Sequence, residues 1–356
     1  MAGGSCRAHA AIVPRVPRRA YDDLMMSLAD KMTVRLWHDG RRVEPTADPV
    51  ADARHQVVPG DLVWIDILDP TPEQLMAFGQ HFGLTRLGME DVLEPHERTK
   101  VVRHADHLSF VCYTAHEKAA EPGSPVDIAF DMIRVSGFIF EQVVITVRAS
   151  DGGGLTNFAE RLSEEERLLR LGVGYLMYAI LDGIVDGYYQ AIEQIEDRLE
   201  DIEDSLFDES LSREMQERMY HIRRDLSRIR RAASPLREVV NDLSRRFLES
   251  PELSAYYGDT YDHALRASEW IDTLRDTISF IVETNLSLQD ARMNEIMKKL
   301  AGWAAIISVP TLITGFFGQN LPFFGFNQVS GLVVSSVLLV VSAAVLWFSF
   351  RRRGWI

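Results

Sequence analysis

The chain has 356 residues, of which 25% are charged, and carries a net charge of −14 at neutral pH. An acidic surface attracts cations and repels the phosphates of nucleic acids, so we expect no nucleic-acid partner. The two cysteines, Cys6 and Cys112, lack the spacing of a metal motif and suit a reducing compartment without disulfides.

The first part of the chain predicts a disordered arm followed by an α+β domain. Residues 1–31 begin with scattered arginines and prolines around no apolar core, which does not suit a signal peptide. Within residues 32–155, Thr71, Pro72 and Gln74 predict a helix start with a capping box. The stretches LVWIDIL, HLSFVCYTA, DIAFDMIRVSGFIF and QVVITVR predict strands, and the last two predict a hairpin.

Residues 156–250 predict a long antiparallel helical hairpin, because strand signals stop after Gly154. Its first helix ends acidic and its second is basic, and we interpret both as ordinary solvated faces without a function. Pro235 predicts a kink in the second helix. A third helix is predicted over residues 251–317, with no breaker from Asp259 to the membrane.

The end of the chain predicts two membrane spans. Residues 300–350 contain no Asp, Glu, Lys or Arg, a length that fits two spans of about 20 residues but not three. The first span, residues 300–317, carries hydroxyl groups and a proline, whereas the second, residues 329–350, is apolar on all sides. Residues 318–328 connect them. The alternative is a buried hairpin of a soluble protein, but Trp347 and the following arginines suit a lipid interface better.

Basic residues flank both spans. Lys298 and Lys299 precede the first span, and the tail, residues 351–356, begins with three arginines. The positive-inside rule therefore places both termini in the cytoplasm and the connection outside, as in a multi-pass protein of the plasma membrane.

A polar stripe follows the third helix into the membrane. Steps of three and four residues give Asp276, Phe280, Glu283, Ser287, Asp290, Asn294, Met297, Ala301, Ala304, Ser308, Thr311 and Gly315. Such a stripe is costly in a bilayer unless it faces protein or water. Several copies around an axis would direct the stripes into a central conduit. Close packing through small residues is the alternative, but it does not explain why the stripe continues beyond the membrane.

Gly318, Gln319 and Asn320 follow the first span directly. A ring of Asn320 amides and of nearby backbone carbonyls would offer neutral oxygens at the outer mouth of a conduit. Such oxygens can hold a cation through its water shell, which suits Mg²⁺, an ion that gives up water reluctantly. The motif therefore predicts an entrance for hydrated divalent cations.

These segments resemble the CorA family of divalent-metal channels. The family signature Gly-Met-Asn at the end of the first span corresponds here to GQN. MNEIMKKL, YDHALRASEWIDTLRD, GMEDVLEPHERTKV and YAILDGIVDGYY also resemble family segments, so the similarity covers residues 60–356. The resemblance implies a funnel-shaped homopentamer in the lipid bilayer that takes up Mg²⁺, and also Co²⁺ and Ni²⁺, and is gated by cytoplasmic divalent metal. It implies no cofactor besides these cations.

The resemblance also implies roles for individual residues. Gly318, Gln319 and Asn320 form the entrance, and Met297 and Leu300 form a hydrophobic constriction. The implied pore lining is Asn294, Met297, Leu300, Ala301, Ala304, Ser308, Thr311 and Gly315. Asp91 of one subunit would face Glu283 of the next around a regulatory metal, and Glu90, Asp182 and Asp259 are candidates for a second metal site.

Three departures from the family pattern bear on ion preference. Gln319 replaces the signature Met, the proline of the first span stands at Pro310, and the turn LPFFGFNQ lacks the usual acidic residue. The zinc-transporting branch of the superfamily, with proton coupling, is therefore an alternative. A membrane-anchored sensor or enzyme is a further one. The sequence contains no Gly-rich phosphate loop and no His-Glu-x-x-His, and the adjacent His96 and Glu97 suit a surface loop, so we expect a transporter and no enzyme.

Overall fold

The structure is a computed structural model of the chain. It describes residues 18–44, 58–94, 96–119, 128–149, 162, 166–205, 213–247, 250–319, 325 and 328–356. The chain divides into two compact units, Met1–Ile278 and Ser279–Ile356.

A seven-stranded sheet forms the centre of the first unit, in the order β2-β1-β3-β7-β6-β5-β4. The strands are β1 Met32–His38, β2 Arg41–Val43, β3 Asp61–Leu68, β4 Lys100–Arg103, β5 Leu108–Ala119, β6 Ile128–Ile139 and β7 Val143–Arg148. Strands β3 and β7 pair in parallel, and the other neighbouring strands pair antiparallel. The four predicted strands are confirmed, as is the β6–β7 hairpin.

Helices α2 (Pro72–Phe82) and α3 (Arg86–Leu93) follow β3. The predicted capping box is confirmed: Thr71 Oγ1 accepts from the Gln74 N–H at 3.3 Å, and Gln74 Oε1 accepts from the Thr71 N–H at 2.8 Å. One face of β3 packs with α2 and α3 in a buried core that includes Val63, Ile65 and Phe78. Met89 and Val92 of α3 belong to the same core, so apolar packing holds α3, which carries Asp91, against the sheet.

The prediction of a disordered arm over residues 1–31 is wrong for its described part. Residues Arg18–Ala29 form helix α1, in which Leu28 is fully buried against the core. Gln74 Nε2 also donates to Ser27 Oγ at 2.8 Å. The apolar residues of α1 fall on one face at helical spacing, a local signal that the interpretation as a disordered arm missed, and the core covers that face. Residues 1–17 lie outside the described part.

Two long helices follow the sheet, α4 (Val173–Ser205) and α5 (Arg213–Arg246). Helix α4 begins at Val173, after a 3₁₀ helix, Glu166–Leu171, and most of residues 156–165 lie outside the described part. Gly172, at φ 69°, separates the two, because a left-handed backbone cannot continue either helix. Pro235 lies inside α5 without ending it.

Helix α6 covers Pro251–Phe317 as one continuous element, as predicted. Its start is marked by Ser250, whose Oγ accepts from the Leu253 N–H at 3.4 Å, and by Pro251 at the first helical position. The apolar positions Leu274, Ile278 and Ile281 are buried. They repeat at a spacing of four and three residues, which is typical of a helix that packs along one face.

The second unit contains the end of α6 and helix α7 (Val329–Arg352). Both are long and apolar enough to span a membrane, with mean hydropathies of 1.7 and 2.5 over their most apolar windows. Only 6% of each window is buried. A core hairpin of a soluble protein would bury these residues, so their exposure favours the membrane interpretation over that alternative.

Candidate ion-conducting site and metal site

The predicted pore-lining residues share one property, which is exposure in the single chain. Met297 is 56% and Leu300 61% exposed. Asn294, Ala301, Ala304, Ser308, Thr311 and Gly315 are exposed as well. Because exposed polar groups at membrane depth need water or protein beside them, this face of α6 requires either a conduit or a neighbouring copy.

A groove of about 750 Å³ runs along the same face of the first span. It is lined by Ile307, Ser308, Thr311, Leu312, Gly315, Phe316 and Gln319, all from α6 and the residues directly after it. The structure therefore brings together Ser308, Thr311 and Gly315 of the predicted pore with Gln319 of the predicted entrance. It adds Ile307, Leu312 and Phe316 as an apolar margin that the stripe of small and hydroxylic residues did not indicate.

The hydroxyl of Thr311 presents an acceptor to this groove. Thr311 Oγ1 donates its proton to the Ile307 carbonyl at 2.8 Å, inside its own helix. Since the proton is used by the backbone, the oxygen lone pairs are what remains for a ligand. A neutral oxygen of this kind can contact a cation or its water shell without binding it strongly.

The outer end of the first span is a tight turn. The Gly318 N–H donates to the Thr314 carbonyl at 2.9 Å, and the Gln319 N–H donates to the Phe316 carbonyl at 3.3 Å. A Cβ at Gly318 would lie 3.1 Å from the Thr314 oxygen, so a side chain there would crowd the turn. Gln319 is exposed. Asn320 lies outside the described residues, and its role stays a prediction.

Asp91, the predicted ligand of a regulatory metal, already has a cationic partner. Lys100 Nζ lies 3.0 Å from Asp91 Oδ1 and 3.3 Å from Glu97 Oε1, and all three side chains are largely buried. Burial raises the pKa of Glu97, but hydrogen bonds from the Arg98 N–H and from Lys100 outweigh it and hold the pKa below its usual range. Sequence reasoning missed Lys100, although it belongs to the segment GMEDVLEPHERTKV.

The other predicted metal ligands are distributed over several elements. Glu90 forms an ion pair with Arg86 at 2.9 Å, and Asp259 lies 3.8 Å from His263. Asp182 is half-buried in α4, and Glu283 is exposed in α6. Among the described residues, no three His, Cys, Asp or Glu side chains of the single chain are grouped closely enough to hold a metal.

An α+β unit with long helices, continued by two exposed apolar helices that are long enough to span a bilayer, indicates a membrane protein. The chain belongs to the family of CorA-like Mg²⁺ transporter proteins, whose sequence profile matches residues 59–352. The prediction of this family is confirmed. The family consists of transporters and not of enzymes.

Individual relatives agree with the family match. The cobalt/magnesium transport protein CorA of Methanocaldococcus jannaschii is 27% identical over 323 residues, which cover 89% of this chain and 97% of that protein. CorA of Thermotoga maritima is 26% identical over 300 residues, covering 82% and 83%. The zinc transport protein ZntB of Yersinia pseudotuberculosis is 26% identical over only 197 residues, covering 52% and 57%. The shorter match to ZntB favours the CorA interpretation over the zinc alternative.

The complete structure of the M. jannaschii CorA magnesium transporter has the same fold. It superposes with a TM-score of 0.72 at 23% identity and covers 91% of this chain and 98% of that one. The predicted fold class, an α+β domain with long helices and two C-terminal apolar spans, is thereby confirmed.

Proposed function

We propose that this chain forms a homopentameric channel for hydrated Mg²⁺, which also passes Co²⁺ and Ni²⁺, with both termini in the cytoplasm. The observation that carries the proposal is the groove on the exposed face of the first span, which includes the side-chain oxygens of Ser308, Thr311 and Gln319, in a chain of the CorA-like family. Five copies would close such grooves into one conduit. The names of the relatives, cobalt/magnesium transport proteins, support the choice of ion.

The pathway in this proposal has three parts. Hydrated cations are captured at Gly318, Gln319 and Asn320, and they pass Gly315, Thr311, Ser308, Ala304 and Ala301. They then reach Leu300, Met297 and Asn294 at the inner end. Rings of apolar side chains at Met297 and Leu300 would exclude water when the helices are close, which closes the pathway without a charged plug.

Control by intracellular Mg²⁺ is the last part of the proposal. Asp91 and Glu283 of adjacent subunits would share a regulatory cation, and Glu90, Asp182 and Asp259 would supply a second site. Carboxylate oxygens are hard ligands that suit Mg²⁺. The fit has one condition: Mg²⁺ at Asp91 has to displace the ammonium group of Lys100, which lies 3.0 Å away.

Flux into proteoliposomes tests the proposed function. Purified protein is reconstituted, and uptake of Mg²⁺, Co²⁺, Ni²⁺ and Zn²⁺ is measured with and without a pH gradient. We expect uptake of Mg²⁺, Co²⁺ and Ni²⁺ that does not depend on the pH gradient. Uptake of Zn²⁺ that requires the gradient would instead support the zinc alternative, and the absence of any uptake would contradict both.

A further inference from the structure

The last residues of the chain fold back at the end of α7 through a Schellman motif. Gly354 has φ +67°, and its N–H donates to the Arg351 carbonyl at 3.3 Å. The Trp355 N–H donates to the Phe350 carbonyl at 2.9 Å. These two bonds and the left-handed glycine are the elements of this helix ending, so the sequence GWI reverses the chain direction instead of extending the helix.

The reversed segment is held by an aromatic contact. The rings of Trp355 and Phe350 stack with centroids 5.4 Å apart and an interplanar angle of 11°. A hydrophobic contact between these two positions is the usual companion of a Schellman motif. Trp355 and Ile356 are both half-buried, whereas Arg351, Arg352, Arg353 and Gly354 are exposed.

Ile356 sits against the first span at Gly302. A Cβ added to Gly302 would lie 3.2 Å from Ile356 Cγ1 and 3.8 Å from the Trp355 carbonyl oxygen. Gly302 is buried, although its neighbours Ala301 and Trp303 are exposed. The missing side chain at residue 302 therefore provides the seat for the end of the chain.

This seat lies on the side of α6 that faces away from the polar stripe. At about 100° of rotation per residue, Gly302 is about 100° from Ala301 and about 160° from Ala304. It also follows Leu300, the predicted constriction, by only two residues. A contact at Gly302 can hold the inner end of the first span without occupying the groove.

We propose that Trp355 and Ile356 are positioning residues that clasp the inner end of the first span. The clasp fixes the rotation of this end, so that the polar stripe faces the conduit. It also limits how far the Leu300 side chains of neighbouring subunits can move apart. Bulk at Gly302 or loss of the two terminal residues frees this end. The contact itself does not depend on the proposed function, whereas its effect on flux rests on it.

Disulfide mapping tests the contact in the full chain in native membranes. Gly302→Cys is combined with Ile356→Cys after Cys6→Ser. Cys112 can stay, because burial raises the pKa of its thiol to about 12. We expect an intrachain disulfide, detected by mass spectrometry and reversed by reductant. The control pair combines Gly315→Cys with Ile356→Cys, since residue 315 lies about 20 Å further along the helix from residue 302.

Equal cross-linking of the two pairs, or none at residues 302 and 356, would overturn the clasp. Flux in proteoliposomes then tests its role. Deletion of residues 355–356 and Gly302→Leu should each raise flux at high internal Mg²⁺ by about fivefold, the lower end of common coupling strengths. Ile356→Leu should preserve the wild-type flux. Gly258→Leu is the matched control, because nothing lies within 4 Å of a Cβ at that position.

The outcomes separate the clasp from the proposed function. If the disulfide forms and wild-type protein shows no flux, the proposed function fails and the contact stands. If wild-type protein conducts and flux is unchanged in the deletion variant, the positioning role is wrong. If Gly302→Leu fails to insert into the membrane, the deletion variant still tests the positioning role, because it adds no side chain to the span.

Discussion

In the first unit the large side chains of Trp64, Phe78 and Phe138 are completely buried, whereas in the second unit Leu312, Val329 and Leu332 are 73%, 78% and 68% exposed. The first unit satisfies its apolar residues with its own sheet and helices. The second leaves its large apolar side chains exposed, and a surface of this kind suits a lipid environment.

Helix α6 contains both buried and exposed apolar side chains. Ile271, Leu274 and Ile278 are buried. Further along the helix, Leu286 and Ile296 are exposed. One continuous helix thus changes its surroundings along its length. The part up to Ile278 packs one face against protein, whereas the surface of the apolar part after residue 300 suits lipid.

The largest effect is expected at the entrance. Asn320→Ala should abolish uptake of Mg²⁺ into proteoliposomes, because it removes the ring of amide oxygens that holds the hydrated cation. Assembly should remain normal in size-exclusion chromatography, since an amide at the mouth contributes little to a core. Gln319→Met should retain uptake with altered preference among Mg²⁺, Co²⁺ and Ni²⁺. Near-normal flux in correctly assembled Asn320→Ala protein would show that the entrance lies elsewhere.

A pair of phenylalanines tests the difference between the two units directly. Phe78 is fully buried, with its ring centroid 4.8 Å from that of Phe82, whereas Phe316 is 57% exposed. Phe78→Ala should lower the free energy of unfolding by about 3–5 kcal/mol through lost packing and a cavity. Phe316→Ala should have little effect on thermal unfolding in detergent. Equal destabilisation by both would mean that the first span is packed within the single chain.

The constriction is expected to give an intermediate effect. Met297→Asp replaces an apolar ring with hydrated carboxylates, and Leu300→Gly removes the side chains of the other ring. Water can then enter the closed pathway, so basal flux should rise severalfold. Flux at high internal Mg²⁺ is the measurement, with Ile296→Asp as the control, because Ile296 is equally exposed but is not part of the stripe. Unchanged flux in both variants would place the gate elsewhere.

Features with local signals were predictable from the sequence. The capping box at Thr71, the strands and the two spans follow from residue spacing and hydropathy, and each is found where the pattern predicts it. Features that depend on distant contacts were not. The ion pair of Lys100 with Asp91 needs the placement of β4 beside α3.

The tail shows the same limit in the site region. The sequence presents residues 351–356 only as a basic tail. Nothing in the sequence indicates that Ile356 meets Gly302, since 53 residues separate them in the chain. The roles of Asn320, Asp91 and Glu283 stay predictions, because they depend on ions and on further copies of the chain.

Removal of the predicted Mg²⁺ ligands should have a smaller effect, which we expect to see in the protection of the protein from protease. High Mg²⁺ should protect the purified wild-type protein from protease, because a cation between Asp91 and Glu283 of adjacent subunits offsets the repulsion of their carboxylates and favours the closed state. The double variant Asp91→Ala with Glu283→Ala should lose this protection. If Mg²⁺ protects both proteins equally, these residues are not the sensor, and Glu90, Asp182 and Asp259 are the next to test.

The smallest effect is expected at Lys100, and it reports on the fit of the metal to Asp91. Lys100→Met removes the ammonium that lies 3.0 Å from Asp91 and 3.3 Å from Glu97, so Mg²⁺ no longer has to displace it. The Mg²⁺ concentration for half-maximal protection should fall by about fivefold, which corresponds to ~1 kcal/mol, the upper end of the range for exposed ion pairs, because this pair is largely buried. The matched control is Lys118→Met, which breaks a more exposed pair with Asp131 at 3.3 Å. A midpoint that does not move, or that moves equally in the control, would show that Asp91 binds no regulatory cation in competition with Lys100.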